Sequence, residues 1–219
     1  MGLDLVVEGC ARPGHEAEWR RTVESVFAGG IPSDADVARF GEISISGYER
    51  LGAPRVGRDK AADDWIIETR KAVTPEQIAE VLQDFDGYYA LRLVTSDGLP
   101  AYSHGGLYDG VDETSFRGAV LTECGDVLTK SLIDQAWEHK MPESALAYGQ
   151  ALLAAAQVKA AEGPGPPRAV PKPGFLARLG FAKPAPEAIA FEEQLEIVES
   201  CGRWFNFWGE RGHPIRAWS

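Results

Sequence analysis

The sequence predicts a helix-rich α+β fold: a small, mostly antiparallel sheet covered by helices, with a Pro/Gly-rich arm and a long C-terminal helix. Three observations predict it. Apolar residues recur at helical spacing through much of the chain. Four short segments, near 3–8, 42–46, 88–94 and 99–103, carry the alternation or the β-forming residues of strands. Half of the 14 prolines fall in residues 163–186, ahead of a strongly apolar stretch. The expected organisation is an α+β core domain at 1–162, a basic arm or linker at 163–186, and a segment at 187–219 whose helix packs on the core or on a partner subunit.

Taken in order, Leu3, Leu5 and Val7 alternate with Asp4, Val6 and Glu8, which predicts a strand. After Pro13-Gly14, Trp19, Val23, Val26 and Phe27 line one face of a helix. His15 and Glu18 near its start have metal-ligand types but no third partner, so a solvated first turn is expected. Ser33 with Asp36 starts a short capped helix, and Ile43 and Ile45 alternate with polar residues in a second strand. Residues 47–60 read as a loop whose Arg50, Arg55, Arg58 and Lys60 are solvated charge. Trp65-Ile66-Ile67 suits strand or helix equally. Thr74-Pro75-Glu76-Gln77 combines an N-cap, a proline at the first helical position and a capping box, and Ile78, Val81, Leu82 and Phe85 follow on one face.

Tyr88 to Val94 then reads as a central strand, Asp97-Gly98 as a hairpin turn, and Leu99 to Ser103 as its partner. The next segment, His104-Gly105-Gly106-Leu107-Tyr108-Asp109-Gly110, is a glycine loop ahead of a helix expected to start at Asp112 and to carry Phe116, Val120 and Leu121. Further helices are expected over Leu128 to Trp137, from Pro142 to about Glu162, and from Glu187 to Trp208, with Gly209 as the last one's C-cap.

The glycine loop is the candidate ligand site. His104 would act as acid or base, Asp109 or Asp112 would orient it, and Tyr102 and Tyr108 would donate beside Gly105 and Gly106. The alternative is a tight connection that needs glycine for its geometry alone. Acids at Asp112 and Glu113 weigh against a phosphate there. The His-Gly-Gly triplet is similar to the oxyanion loop of lipases and esterases. That chemistry needs a G-x-S-x-G elbow, and neither Ser115, Ser131, Ser144 nor Ser200 sits in one. His104, Asp109 and Cys124 have ligand chemistry without a recognised spacing, so neither a metal nor a cofactor is expected.

The arm carries Arg168, Lys172, Arg178 and Lys183 and no acid, whereas the chain as a whole has a net charge of −11. Phe175, Leu176, Leu179 and Phe181 form an apolar hook within it, suited to docking on its own domain, in a groove on a partner or against a membrane surface. The aromatic run at Trp204 to Trp208 is expected in the core rather than stacked on bases. Net acidity argues against nucleic acid, because phosphates need a basic face. No apolar run approaches membrane-spanning length, and the start lacks a signal-peptide pattern. Cys10, Cys124 and Cys201 are far apart and odd in number, which fits reduced thiols and a cytoplasmic location.

The function these features favour is a binding or interaction protein, immunity-like or regulatory, without catalytic activity. It would engage a protein partner or form a homodimer through residues 163–208. The alternative is a small-ligand-binding protein or enzyme using a pocket around His104.

Overall fold

The computed structural model describes residues 2–94, 114–165 and 189–219. Five strands are present among the described residues: β1 (Asp4–Val7), β2 (Cys10–Ala11), β3 (Ser44–Ile45), β4 (Ser115–Phe116) and β5 (Ile215–Trp218). The α-helices are α1 (Glu16–Phe27), α2 (Asp34–Ile43), α3 (Gly47–Arg50), α4 (Lys60–Arg70), α5 (Pro75–Asp84), α6 (Lys130–Gln135), α7 (Pro142–Glu162) and α8 (Phe191–Glu210). The fold is helix-rich α+β, with a small antiparallel sheet and a long C-terminal helix, in agreement with the sequence. The described residues fall into two compact units. One draws on 2–6, 114–165, 189–210 and 215–219, the other on 7–94 and 211–214.

The first unit is built on a three-stranded sheet in the order β4-β1-β5. Leu5 pairs with Phe116 and Val6 with Ser115 in antiparallel register. Leu3 and Leu5 point inward and are buried, as strand alternation requires. Gly118 makes their approach feasible, since a Cβ there would lie 2.8 Å from Leu3 Cδ2. Against this sheet unit 1 sets its helical pair. Contacts between α7 and α8 join Gly149 to Gly202 and Phe205, and Pro142 and Leu146 to Gly209, so the two helices run antiparallel. Trp204, Phe205 and Trp208 are buried, and Phe205 meets the Tyr148 ring edge-on at 4.9 Å. The aromatic run at the end of α8 is core, as expected.

In the second unit, β2 and β3 pair Cys10 with Ile45 and Ala11 with Ser44. Trp19 and Val23 bury the inner face of α1, and Trp19 Nε1 donates to the Gly9 carbonyl at 2.7 Å. Val56, Ala62, Ile66 and Ala90 form a small core that Trp65, Val81, Leu82 and Phe85 partly cover. Trp65-Ile66-Ile67 is therefore helical, inside α4, which stops where Lys71 takes a left-handed conformation (φ 55°).

Several expected elements differ. Residues 88–94 are not a strand: Tyr89 makes an isolated bridge to Arg55, and a 3₁₀ turn follows at Leu91–Leu93. The segment spends its hydrogen bonds on 54–56 instead, with Val56 N donating to Tyr88 O and Ala90 N to Pro54 O. The partner strand at 99–103 lies outside the described residues. The helix expected to carry Phe116, Val120 and Leu121 is a short strand followed by a 3₁₀ helix at Gly118–Glu123, because Phe116 fills the sheet's inner face. The segment 42–46 contributes only Ser44–Ile45 to a strand, in a separate two-stranded sheet. The Leu128–Trp137 helix shrinks to α6, which Thr129 caps. Gly209 is not a C-cap but lies within α8, against Pro142 and Leu146. Gly212, with φ 78°, takes the turn beyond it.

Candidate functional site

The second unit carries a half-exposed aromatic ledge at the turn after α5. The helix begins in a complete capping box, Thr74 with Gln77, and Pro75 fits its first turn. It buries no residue fully, so local capping supports it as much as packing does. Gly87 then turns the chain with φ 81°, and its carbonyl accepts from Arg55 Nε at 2.9 Å. A side chain at Gly87 would strike the Arg55 guanidinium.

That turn presents Tyr88 and Tyr89 in different directions. Tyr88 lies parallel to Trp65, with ring centroids 6.4 Å apart, and meets Phe85 edge-on at 5.9 Å. Arg70 sits 4.5 Å over the Phe85 ring. Tyr89 stacks on Tyr48 at 5.3 Å, and Arg55 lies at the same distance from its ring centroid. Tyr88 nevertheless remains 51% exposed. Rings locked in place by neighbours, with guanidinium groups alongside, have the composition of interface hot spots.

Residues 47–60 are not all loop, since Gly47–Arg50 is helix α3 capped by Ser46 and Lys60 opens α4. Arg50 Nη2 donates to Cys10 Sγ at 3.1 Å, Arg55 is committed as above, and Lys60 pairs with Asp64 at 2.6 Å. Glu18 near the start of α1 forms a two-pronged pair with Arg39 at 2.8 Å, while His15 stands 3.8 Å from it. That arrangement is an ion-pair network rather than a metal site. Among the described residues no group of three His, Cys, Asp or Glu side chains could hold a metal ion.

Three other titratable groups are structural. His213 Nδ1 donates to the Glu8 carbonyl at 2.7 Å. Burial pulls its pKa down to about 4 against that bond, with Arg50 and Arg211 nearby pushing the same way as burial. Lys140 is buried and its pKa lowered by desolvation. Its ammonium donates to the carbonyls of Gln135 and Glu138 and lies 4.5 Å over the Tyr148 ring. His139 Nδ1 accepts from the Ala217 N–H on β5 at 3.2 Å, and burial, Arg216 and Lys140 lower its pKa. Lys140 also exchanges backbone hydrogen bonds with Ile215, so residues 139 and 140 occupy the outer edge of β5.

The expected ligand-site residues Tyr102, His104, Gly105, Gly106, Tyr108, Asp109 and Asp112 lie outside the described residues. So do Phe175, Leu176, Leu179 and Phe181 of the hook. The ledge was not found from sequence, because Arg55 and Arg70 are far from the tyrosines along the chain. The doubled tyrosine after Asp86-Gly87 was its only local signal. No described helix is long and apolar enough to cross a membrane. Comparison with family models, with curated proteins and with solved structures finds no match to this chain.

Proposed function

We propose that this chain is a binding protein that engages a protein partner, with the ledge of Trp65, Phe85, Tyr88 and Arg70 as its contact face. The observation that carries the reading is the Tyr88 ring, held between Trp65 and Phe85 yet half open to solvent. Ordering such a ring on binding costs little, because its neighbours already fix it. The net charge of −11 favours a partner with a basic surface at long range, and the ring faces supply the short-range contact.

Quantitative affinity capture tests this with the wild-type chain, Tyr88→Ala, Arg70→Glu and a control, Gln150→Ala, in the other unit. The expected result is a partner retained by wild type and control and lost from both ledge variants. Equal recovery by all four chains sinks the reading. Circular dichroism of each variant confirms that loss of capture is not loss of fold.

A further inference from the structure

Helix α5 combines two features that a self-contained helix avoids. Ile78, Val81, Leu82 and Phe85 fall on one face at helical spacing, yet none of the four is fully buried. By contrast, α1 buries Trp19 and Val23, and α8 buries ten residues. Val81, Leu82 and Phe85 lie with Trp65 over the small core of Val56, Ala62, Ile66 and Ala90, and Phe85 joins this apolar surface to the half-exposed Tyr88. The second feature is a row of acids. Glu76, Glu80 and Asp84 follow at intervals of four, all exposed, and none of the three is in an ion pair among the described residues. Like charges at that spacing repel and weaken a helix. Asp84 stands three positions from Val81 and next to Phe85, so the row borders the apolar surface.

Both features call for the same complement, an apolar row bordered by positive charge. Residues 61–86 reinforce the charge requirement, with seven acids against two bases, Arg70 and Lys71. The segment after α5 has no backbone to offer an added strand. Gly87 N donates to Val56 O, Val56 N to Tyr88 O and Ala90 N to Pro54 O. What remains is a surface of side chains three and four positions apart, and rows at that spacing accept the rows of another helix.

We propose that the partner element received by the ledge, on the reading given above, is an amphipathic helix with Lys or Arg along one border of its apolar face, laid against α5. Its apolar row covers Val81, Phe85 and Tyr88, and its cations lie against Glu80 and Asp84. Binding buries the open face of α5 and neutralises the acid row in the same step.

Phage selection of random peptides of about 16 residues, long enough for several helical turns, on the immobilised full chain tests this. Enriched sequences are then made as fluorescent peptides and titrated by anisotropy. The expected sequences carry apolar residues at i, i+3, i+4 and i+7 with net positive charge, and gain helical circular dichroism when bound. Affinity should fall about tenfold or more for the double variant Glu80→Lys with Asp84→Lys, fall several-fold for Tyr88→Ala, and stay unchanged for Gln150→Ala. Both acids are exposed, and urea unfolding checks that the double variant keeps its fold. No enrichment, or enrichment of acidic or proline-rich sequences, overturns the helix. So does equal binding to the charge-reversed chain. If Tyr88→Ala still abolishes partner capture in those cases, the ledge stands without the helix. Peptides indifferent to Tyr88→Ala overturn ledge and helix together. A wild-type dimer that the charge reversal dissociates would assign the face to a second copy and also overturn the helix.

Discussion

Gly149 on α7 and Gly202 on α8 face each other so closely that neither has room for a side chain. A Cβ on Gly149 would lie 2.8 Å from the Gly202 carbonyl oxygen, and one on Gly202 would lie 3.0 Å from that of Gly149. Both obstacles are helix backbone, which moves only if the helices separate. Alanine at either position improves intrinsic helix propensity by about 1 kcal/mol. Forcing apart a packed core costs about 1–3 kcal/mol, and here Leu153 and Phe205 crowd the same sites. Gly149→Ala and Gly202→Ala are therefore expected to destabilise the chain despite better helix formers. Urea unfolding should show lower midpoints with unchanged slopes.

Gly41 gives the opposite result. It sits inside α2, and a Cβ there would meet nothing within 4 Å. Only the propensity gain remains, so Gly41→Ala is expected to stabilise by about 0.5–1 kcal/mol. The same unfolding experiment reads it. A destabilised Gly41→Ala would mean that this face of α2 is packed against something.

Two helix starts were legible because capping is local: Ser33 with Asp36 and Thr74 with Gln77 form the boxes that their spacing predicts. The core position of the aromatic run at Trp204 to Trp208 was legible, and Trp204, Phe205 and Trp208 are buried. Strand pairing was not. β1 pairs with residues more than a hundred positions away, and β4 is only two residues long, too short to show alternation. Gly209 failed for a similar reason. Near a helix end it looks like a cap, and only the position of α7 shows that it makes room for Pro142 and Leu146. The ledge depends on Arg55 and Arg70 reaching rings that are distant in sequence, which no local pattern encodes.

Burial of His213 makes stability depend on pH. Its folded pKa of about 4 lies below the 6.5 of the free side chain, so the unfolded chain binds its proton first. The stabilisation is complete above pH 6.5 and is lost as pH falls from there to about 4. The full loss is on the order of 3 kcal/mol. Unfolding at pH 7 and pH 4.5 should show this for wild type. His213→Gln should be less stable at pH 7 and lose less on acidification. Equal losses in the two chains would refute the assignment.

The three thiols should differ in reactivity. Burial pushes Cys124 up to about 12, helped by Glu123, Glu193 and Asp126, and raises Cys201 well above its ordinary range. Cys10 is also buried, and its Sγ accepts from Arg50 Nη2 at 3.1 Å. Aromatic disulfide reagent at pH 8 should label Cys10 first, with Cys124 and Cys201 following only in denaturant. Peptide mapping of the first labelled site decides it.

Helix α5 should be unusually sensitive to its cap. Its Thr74 Oγ1 accepts from the Gln77 N–H, and Gln77 Oε1 accepts from the N–H groups of Thr74 and Val73. With no fully buried residue in the helix, packing has little reserve to hold the first turn once those bonds go. Thr74→Ala should cost about 1 kcal/mol and raise amide exchange locally over 75–79. The comparable change in α6, Thr129→Ala, removes a cap bond to Leu132 N, but Tyr148 OH still holds the Leu132 carbonyl at 2.8 Å. Exchange in α6 should therefore rise less. If both helices respond alike, tertiary anchoring and not the cap controls the first turn of each.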